Sequence, residues 1–265
     1  MITILTPTYN RGYTLQRLFD SLIIQEDLSF EWLIIDDGST DNTKNLIDSF
    51  DKKKLITIRY FYQSNSGKPS AINLGVEKSS TEYIFIVDSD DIITYDCVST
   101  ISNEIEKHTN QKKRFSGLCF RKGKLDGSVL GKSIKHINLD STLYHSTELK
   151  NLFNVDLAYC FKKEYMQKNS FPRIDDEKFV PELYIWNKIT DLDLVYTYMN
   201  KVIYLCEYMP DGLSANFKSQ LKNNPKGFLL YYRDQFKREK IISNKAKMAV
   251  RLLQCHAYRV LRSIR

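Results

Sequence analysis

Apolar and polar positions follow two alternating periods over the first hundred residues. Ile2 to Thr6 is a short apolar run that stops at Pro7, the mark of a buried strand. Leu15, Leu18, Phe19, Leu22 and Ile23 then recur at helical spacing. Glu31 to Ile35 predicts a second strand, and Thr40 or Asp41 is placed to cap a helix over Leu46, Ile47 and Phe50. Leu55 to Tyr62 predicts a third strand and Ser70 to Glu77 a helix. Tyr83 to Val87 predicts a fourth strand, apolar enough to be covered on both faces. This alternation predicts an α/β fold with one Rossmann-like, mostly parallel sheet flanked by helices. Residues 110 to 160 carry little pattern beyond a strand over Phe115 to Arg121. A helix is expected over Val180 to Thr190, starting near Pro181, and two basic amphipathic helices from about Pro225.

In such sheets ligands bind beyond the carboxyl ends of the strands. Three polar clusters fall there: Thr6-Pro7-Thr8-Tyr9-Asn10-Arg11, Asp36-Asp37-Gly38-Ser39 and Asp88-Ser89-Asp90-Asp91. One cluster is explained by a turn or a helix cap. Three on one rim predict a binding site.

Composition fits one large soluble unit: 265 residues, 42% hydrophobic, with enough chain for a core that needs no disulfides. The five cysteines are widely spaced, with no CxxC pair, which predicts free thiols in a reducing compartment. Charge is uneven. Of 39 basic and 32 acidic residues, 13 and 2 lie at 216–265, so this tail carries +11 and the remainder −4. Such a tail favours anionic partners.

Asp88, Asp90 and Asp91 place three carboxylates within four positions, and close like charges are costly unless a cation sits among them. Hard oxygen ligands suit Mg²⁺ or Mn²⁺. Asp37 can accept hydrogen bonds from a base or ribose, Pro7 and Tyr9 offer a flat surface for stacking, and Lys68 is a point charge for a phosphate. Among the carboxylates of 173–182, Glu182 stands at a helix start beside apolar Val180 and Leu183, where partial burial favours a base. A helix-terminal Glu without chemistry fits the same pattern. There is no GxGxxG, P-loop or GxSxG element, and the four histidines (His136 and His145 among them) make no metal-spaced pair.

Together TPTYNR (6–11), DDGSTD (36–41), NSGKPSAINLG (65–75) and IVDSDD (86–91) resemble the family 2 glycosyltransferases, inverting enzymes with a GT-A fold. FKKEYMQKNSFP (161–172), EKFVPELYIW (177–186), CEYMPDGLSAN (206–216) and NPKG (224–227) resemble bacterial surface-polysaccharide members. The resemblance implies a GT-A catalytic domain over 1–215, with a nucleotide-sugar half at 1–110 and an acceptor half at 111–215, followed by a basic helical extension at 216–265. It implies a UDP-sugar donor held by Thr6, Pro7, Tyr9, Asn10, Arg11, Asp37, Lys68, Ala71, Asn73, Asp88 and Ser89. It further implies Mn²⁺ or Mg²⁺ on Asp90 and Asp88, and Trp186 beside the acceptor. Glu182 is the expected base, with Asp176, Asp175 and Glu177 behind it; where relatives carry a Glu-Asp pair this chain has Glu182-Leu183.

The expected activity is inverting transfer from a UDP-sugar to an acceptor hydroxyl, with a lipid-linked oligosaccharide of capsule or O-antigen synthesis as the acceptor. The tail reads in two ways: a helical pair on the core with a solvated basic face, or a basic surface lying on an anionic membrane. With no export signal and no apolar run of spanning length, a cytoplasmic protein at the inner face of the membrane is expected, and no nucleic-acid partner. A sugar-phosphate nucleotidyltransferase is the nearest rival, but it calls for a glycine-rich phosphate loop after the first strand. A non-catalytic membrane or nucleic-acid binding module leaves the acidic rim unexplained.

Overall fold

The computed structural model describes residues 1–111, 113–132, 142–207, 209, 212 and 216–263. His136 and most of the 206–216 run lie outside these residues. The first half is a regular strand–helix alternation: β1 (Ile2–Thr8), α1 (Gly12–Ile23), β2 (Phe30–Asp36), α2 (Thr43–Lys52), β3 (Thr57–Tyr62), α3 (Lys68–Lys78) and β4 (Tyr83–Ile86). β5 (Ile92–Ile93), α4 (Cys97–Thr109), β6 (Gly117–Lys124), β7 (Thr142–Tyr144), α5 (Ser146–Phe153), β8 (Ala158–Lys162) and α6 (Lys163–Lys168) follow. The chain continues through α7 (Leu183–Leu192), β9 (Val195–Cys206), α8 (Phe217–Asn223), α9 (Pro225–Arg238) and α10 (Ile242–Ser263).

The strands form one sheet in the order β3-β2-β1-β4-β8-β6-β9-β5, with β7 on β9. The β3-β2-β1-β4 half is wholly parallel. Beyond β4 the sheet is mixed, because β8 runs antiparallel to both neighbours while β6 and β9 are parallel. Each face carries its own core. α1, α2 and α4 cover Ile4, Trp32 and Phe85, and α3, α5 and α7 cover Leu5, Leu33 and Ile84. A smaller cluster joins α8, α9 and α10 through Leu221, Phe228, Tyr232 and Cys255. No helix among the described residues is long and apolar enough to cross a membrane.

One helix start agrees with the sequence reading and one differs. Asn42 precedes α2, but Asp41 supplies the capping oxygen, accepting from Thr43 N at 3.0 Å. α7 starts at Leu183 instead of Pro181. The Pro181 and Glu182 carbonyls accept the first bonds, from Tyr184 N and Ile185 N, so Glu182 is the cap residue of α7.

Candidate active site

β1 is the hinge of the site because it lies between β2 and β4, so the loops after all three leave from one edge. Asp37 N donates to Thr8 O at 2.8 Å, and Val87 N donates to Leu5 O at 2.9 Å, holding the exits together. Asn10, in the left-handed region at φ 51°, crosses from the first loop to the second. Its N–H donates to Ser39 Oγ at 2.8 Å and its Oδ1 accepts from Thr40 N at 2.8 Å. Asp37 braces a third loop: Oδ1 accepts from Gln63 Nε2 (2.6 Å) and Ser66 N (2.8 Å), and Oδ2 from Gly67 N (2.8 Å). Tyr9 stands exposed at this rim, while the Thr8 hydroxyl is buried with no partner among the described residues.

Lys68, the first residue of α3, is the centre of the charge arrangement. Its Nζ lies 2.6 Å from Asp88 Oδ1 and 2.6 Å from Glu182 Oε1, so it bridges the acidic cluster and the expected base. Burial works against charge at both Lys68 and Asp88, but their attraction prevails. The Lys68 ammonium is held above its ordinary range; Asp88 is held below its own by Lys68, with Lys122 adding to the effect.

One carboxylate oxygen from each of Asp88, Asp90 and Asp91 lies within 4.8 Å of those of the other two. Burial, then repulsion from Asp88, raises the carboxyls of both Asp90 and Asp91. A cation among them would relieve that repulsion. An all-carboxylate donor set of this kind fits a hard divalent ion such as Mg²⁺ or Mn²⁺. Asp91 is oriented by Tyr204, whose hydroxyl donates to Asp91 Oδ2 at 2.7 Å and accepts from Asp88 N at 2.9 Å. Lys122 lies over the Tyr204 ring, 4.0 Å from its centroid. Arg17 donates to Asp90 O at 2.9 Å and pairs with Glu207. Lys122, Tyr204 and Arg17 were not expected from the sequence. The β6–β9 pairing sets Lys122 opposite Tyr204, and nothing local in either segment announces it.

Several expected contacts lie elsewhere. The Thr6 side chain is buried and accepts from Trp32 Nε1 at 3.0 Å, inside the core and not on the rim. Pro7 and Ala71 are buried, Ala71 in the core under α3. The Asn73 amide is occupied by Phe171, donating to its carbonyl and accepting from its N–H, both at 2.9 Å. Trp186 packs among Phe161, Tyr159 and Phe171 and is 5% exposed. The Glu177 carboxylate accepts from Lys226 N and Gly227 N, both at 2.9 Å, so it is committed to α9 and not available as a base. Asp175 and Asp176 use backbone carbonyls to hold Lys226 and Arg262.

Thr6→Val tests its assignment. Removing the hydroxyl leaves the buried Trp32 N–H without an acceptor, at a cost of about 1–3 kcal/mol. Thermal unfolding should register that loss while UDP affinity stays unchanged. A normal melting temperature with weakened UDP binding would return Thr6 to the nucleotide site.

Residues 3–118 match the family model described as glycosyl transferase family 2. Glycosyltransferase GlyA of Streptococcus pneumoniae is 26% identical over 221 residues, 80% of this chain and 31% of GlyA. An uncharacterized glycosyltransferase of Rickettsia felis is 36% identical over 118 residues, 42% of this chain and 19% of that protein. The chain thus spans a third or less of the length of these relatives. Among solved structures, S. aureus TarS 1–349 in complex with UDP-GlcNAc superposes with a TM-score of 0.67 at 16% identity, covering 96% of this chain and 72% of TarS 1–349. The mannosyltransferase PcManGT of Pyrobaculum calidifontis, in complex with GDP-Man and Mn²⁺, gives 0.62 at 15% identity, covering 99% and 75%. At such identities the likeness is one of fold, and that fold is the one the strand order and rim describe. Residues 3–118 thus carry the glycosyl transferase family 2 match, and over nearly its whole length the chain shares the GT-A fold of these glycosyltransferases.

Proposed function

We propose that the chain transfers a sugar from a UDP-sugar to an acceptor hydroxyl with inversion at the anomeric carbon. The observation that carries this reading is the Lys68 bridge between Asp88 and Glu182. It joins a phosphate-binding cation, a metal-suited acidic cluster and a candidate base at one point.

The nucleoside lies at the rim formed by Tyr9, Asn10 and the loop that Asp37 braces. Asp90 and Asp88 would hold Mn²⁺ or Mg²⁺, which when bound neutralises diphosphate charge. The donor diphosphate draws Lys68 to itself and so releases Glu182 from the bridge. Glu182 then takes the proton of the acceptor hydroxyl as its oxygen bonds to the anomeric carbon. The bond to the diphosphate breaks, and the electron pair leaves with the UDP that Lys68 stabilises. An α-linked donor gives a β-linked product. The test is UDP release from UDP-glucose, UDP-galactose and their N-acetyl forms; a chain that turns over none of them is not this enzyme.

The acceptor in this reading is lipid-linked and presented at an anionic membrane. α10 supports it. Met248, Leu252 and Cys255 face α9, whereas Ile242, Val250, Leu253, Val260 and Leu261 lie on the opposite side, 84%, 55%, 71%, 57% and 58% exposed. The helix has no acidic residue, and Lys245, Lys247 and Arg259 flank the exposed stripe. An apolar stripe bordered by cations suits a headgroup layer. Burying a leucine contributes about 1.5–3 kcal/mol, so Leu253→Glu should weaken sedimentation with phosphatidylglycerol vesicles about tenfold or more. Equal sedimentation of both proteins, or none by wild type at low salt, would remove the membrane from the account.

A further inference from the structure

The segment that ends in Glu182 is gripped by two glycines far apart in the chain. On the sheet side is Gly67, at φ 93°, just before Lys68; a Cβ there would fall 1.9 Å from the Lys178 carbonyl oxygen. On the tail side is Gly227, in the first turn of α9; a Cβ there would fall 2.1 Å from the Phe179 carbonyl oxygen. Backbone runs against backbone at both points, which only glycine allows. The glycines of NSGK and NPKG therefore serve one strap, residues 177–182.

Polar contacts fix the same strap. Lys178 N donates to Asn224 Oδ1 at 2.9 Å, and Lys178 Nζ donates to Asn65 Oδ1 at 2.6 Å. Glu177, its side chain 0% exposed, accepts one N–H of α9 on each carboxylate oxygen, with Arg262 of α10 3.4 Å away. A carboxylate on the free N–H groups of a helix start is a strong, directional contact. Five residues on, through buried Val180 and conformationally restricted Pro181, the chain reaches Glu182. Little slack separates the two carboxylates.

We propose that Glu177 is a positioning residue. By binding the start of α9 it sets the strap so that Glu182 meets Lys68, which makes the tail part of the catalytic unit. The inference rests on Glu182 being the base, as proposed above. Misplacing a reacting group by about 1 Å costs on the order of 10²-fold in rate. Glu177→Gln sets an amide NH₂ against a backbone N–H and should shift the strap on that scale.

The test is a double-mutant cycle with Glu182→Gln, reading UDP release from the best UDP-sugar of the panel, UDP affinity by calorimetry and the melting temperature. Glu177→Gln alone should lower kcat by about 10–100-fold with UDP affinity retained, and should cost nothing further in the Glu182→Gln background. Equal losses in both backgrounds, or no loss in either, would overturn the positioning role while leaving Glu182 in place. Normal turnover by Glu182→Gln alone would reject the base itself and the positioning role with it. If Glu177→Gln fails to fold, Arg262→Ala removes a half-exposed partner of the same carboxylate. It should give a smaller loss in the same pattern, and an additive loss there counts against the proposal equally.

Discussion

Glu182→Gln should lower turnover by about 10²–10⁴-fold while leaving UDP affinity unchanged, the loss expected when a general base is removed. The substitution keeps the size and one hydrogen-bonding oxygen of the side chain. What it removes is the ability to take a proton. The fold should tolerate it, because Glu182 is one-third exposed and caps α7 through its backbone carbonyl, which glutamine retains. The donor should still bind, because Lys68, Asp88 and Asp90 are untouched. The variant also loses one of the two carboxylates that hold Lys68. UDP binding therefore separates the two roles: weaker binding would mark Glu182 as a support for Lys68, and near-normal turnover would reject it as the base. Glu177, considered with it on sequence grounds, is excluded by its commitment to α9.

The half of the fold that the sequence revealed is the half whose periodicity is set by burial alone. β1, β2 and β4 are covered on both faces and read as short, mostly apolar runs. β8 and β9 were missed because their places depend on partners distant in the chain. β8 closes antiparallel on β4 and β6, and no local signal specifies that. The rim clusters were legible because the carboxyl ends of parallel strands are where such folds bind ligands. The direction of individual side chains was less so. Thr6 lies one strand period from Ile4 and shares its inward face, so alternation places it against Trp32 and not on the rim. Asn73 and Trp186 carry suggestive chemistry, but their partners at Phe171 and Phe161 are tertiary. Lys122 and Tyr204 escaped for the same reason, although they complete the floor of the acidic cluster.

Asp90→Ala should have an effect of comparable size, on binding. Lys68 engages Asp88 and Tyr204 engages Asp91, whereas Asp90 feels the Arg11 charge beside the repulsion of Asp88. Burial and repulsion from Asp88 raise its carboxyl, so removing it relieves repulsion within the protein while taking away a proposed oxygen ligand. The variant should remain folded, with an unchanged or higher melting temperature, and should lose the part of UDP affinity that depends on a divalent ion. Retained metal-dependent affinity would remove Asp90 from the ion's ligands.

Calorimetric titration of the wild-type chain with UDP, run with and without Mn²⁺, goes to the centre of the account. Tight binding that appears only with the ion is the predicted result. Affinity indifferent to Mn²⁺, or no binding under either condition, would contradict the claim that the rim of Asp37, Lys68 and Asp90 works as one nucleotide-sugar site.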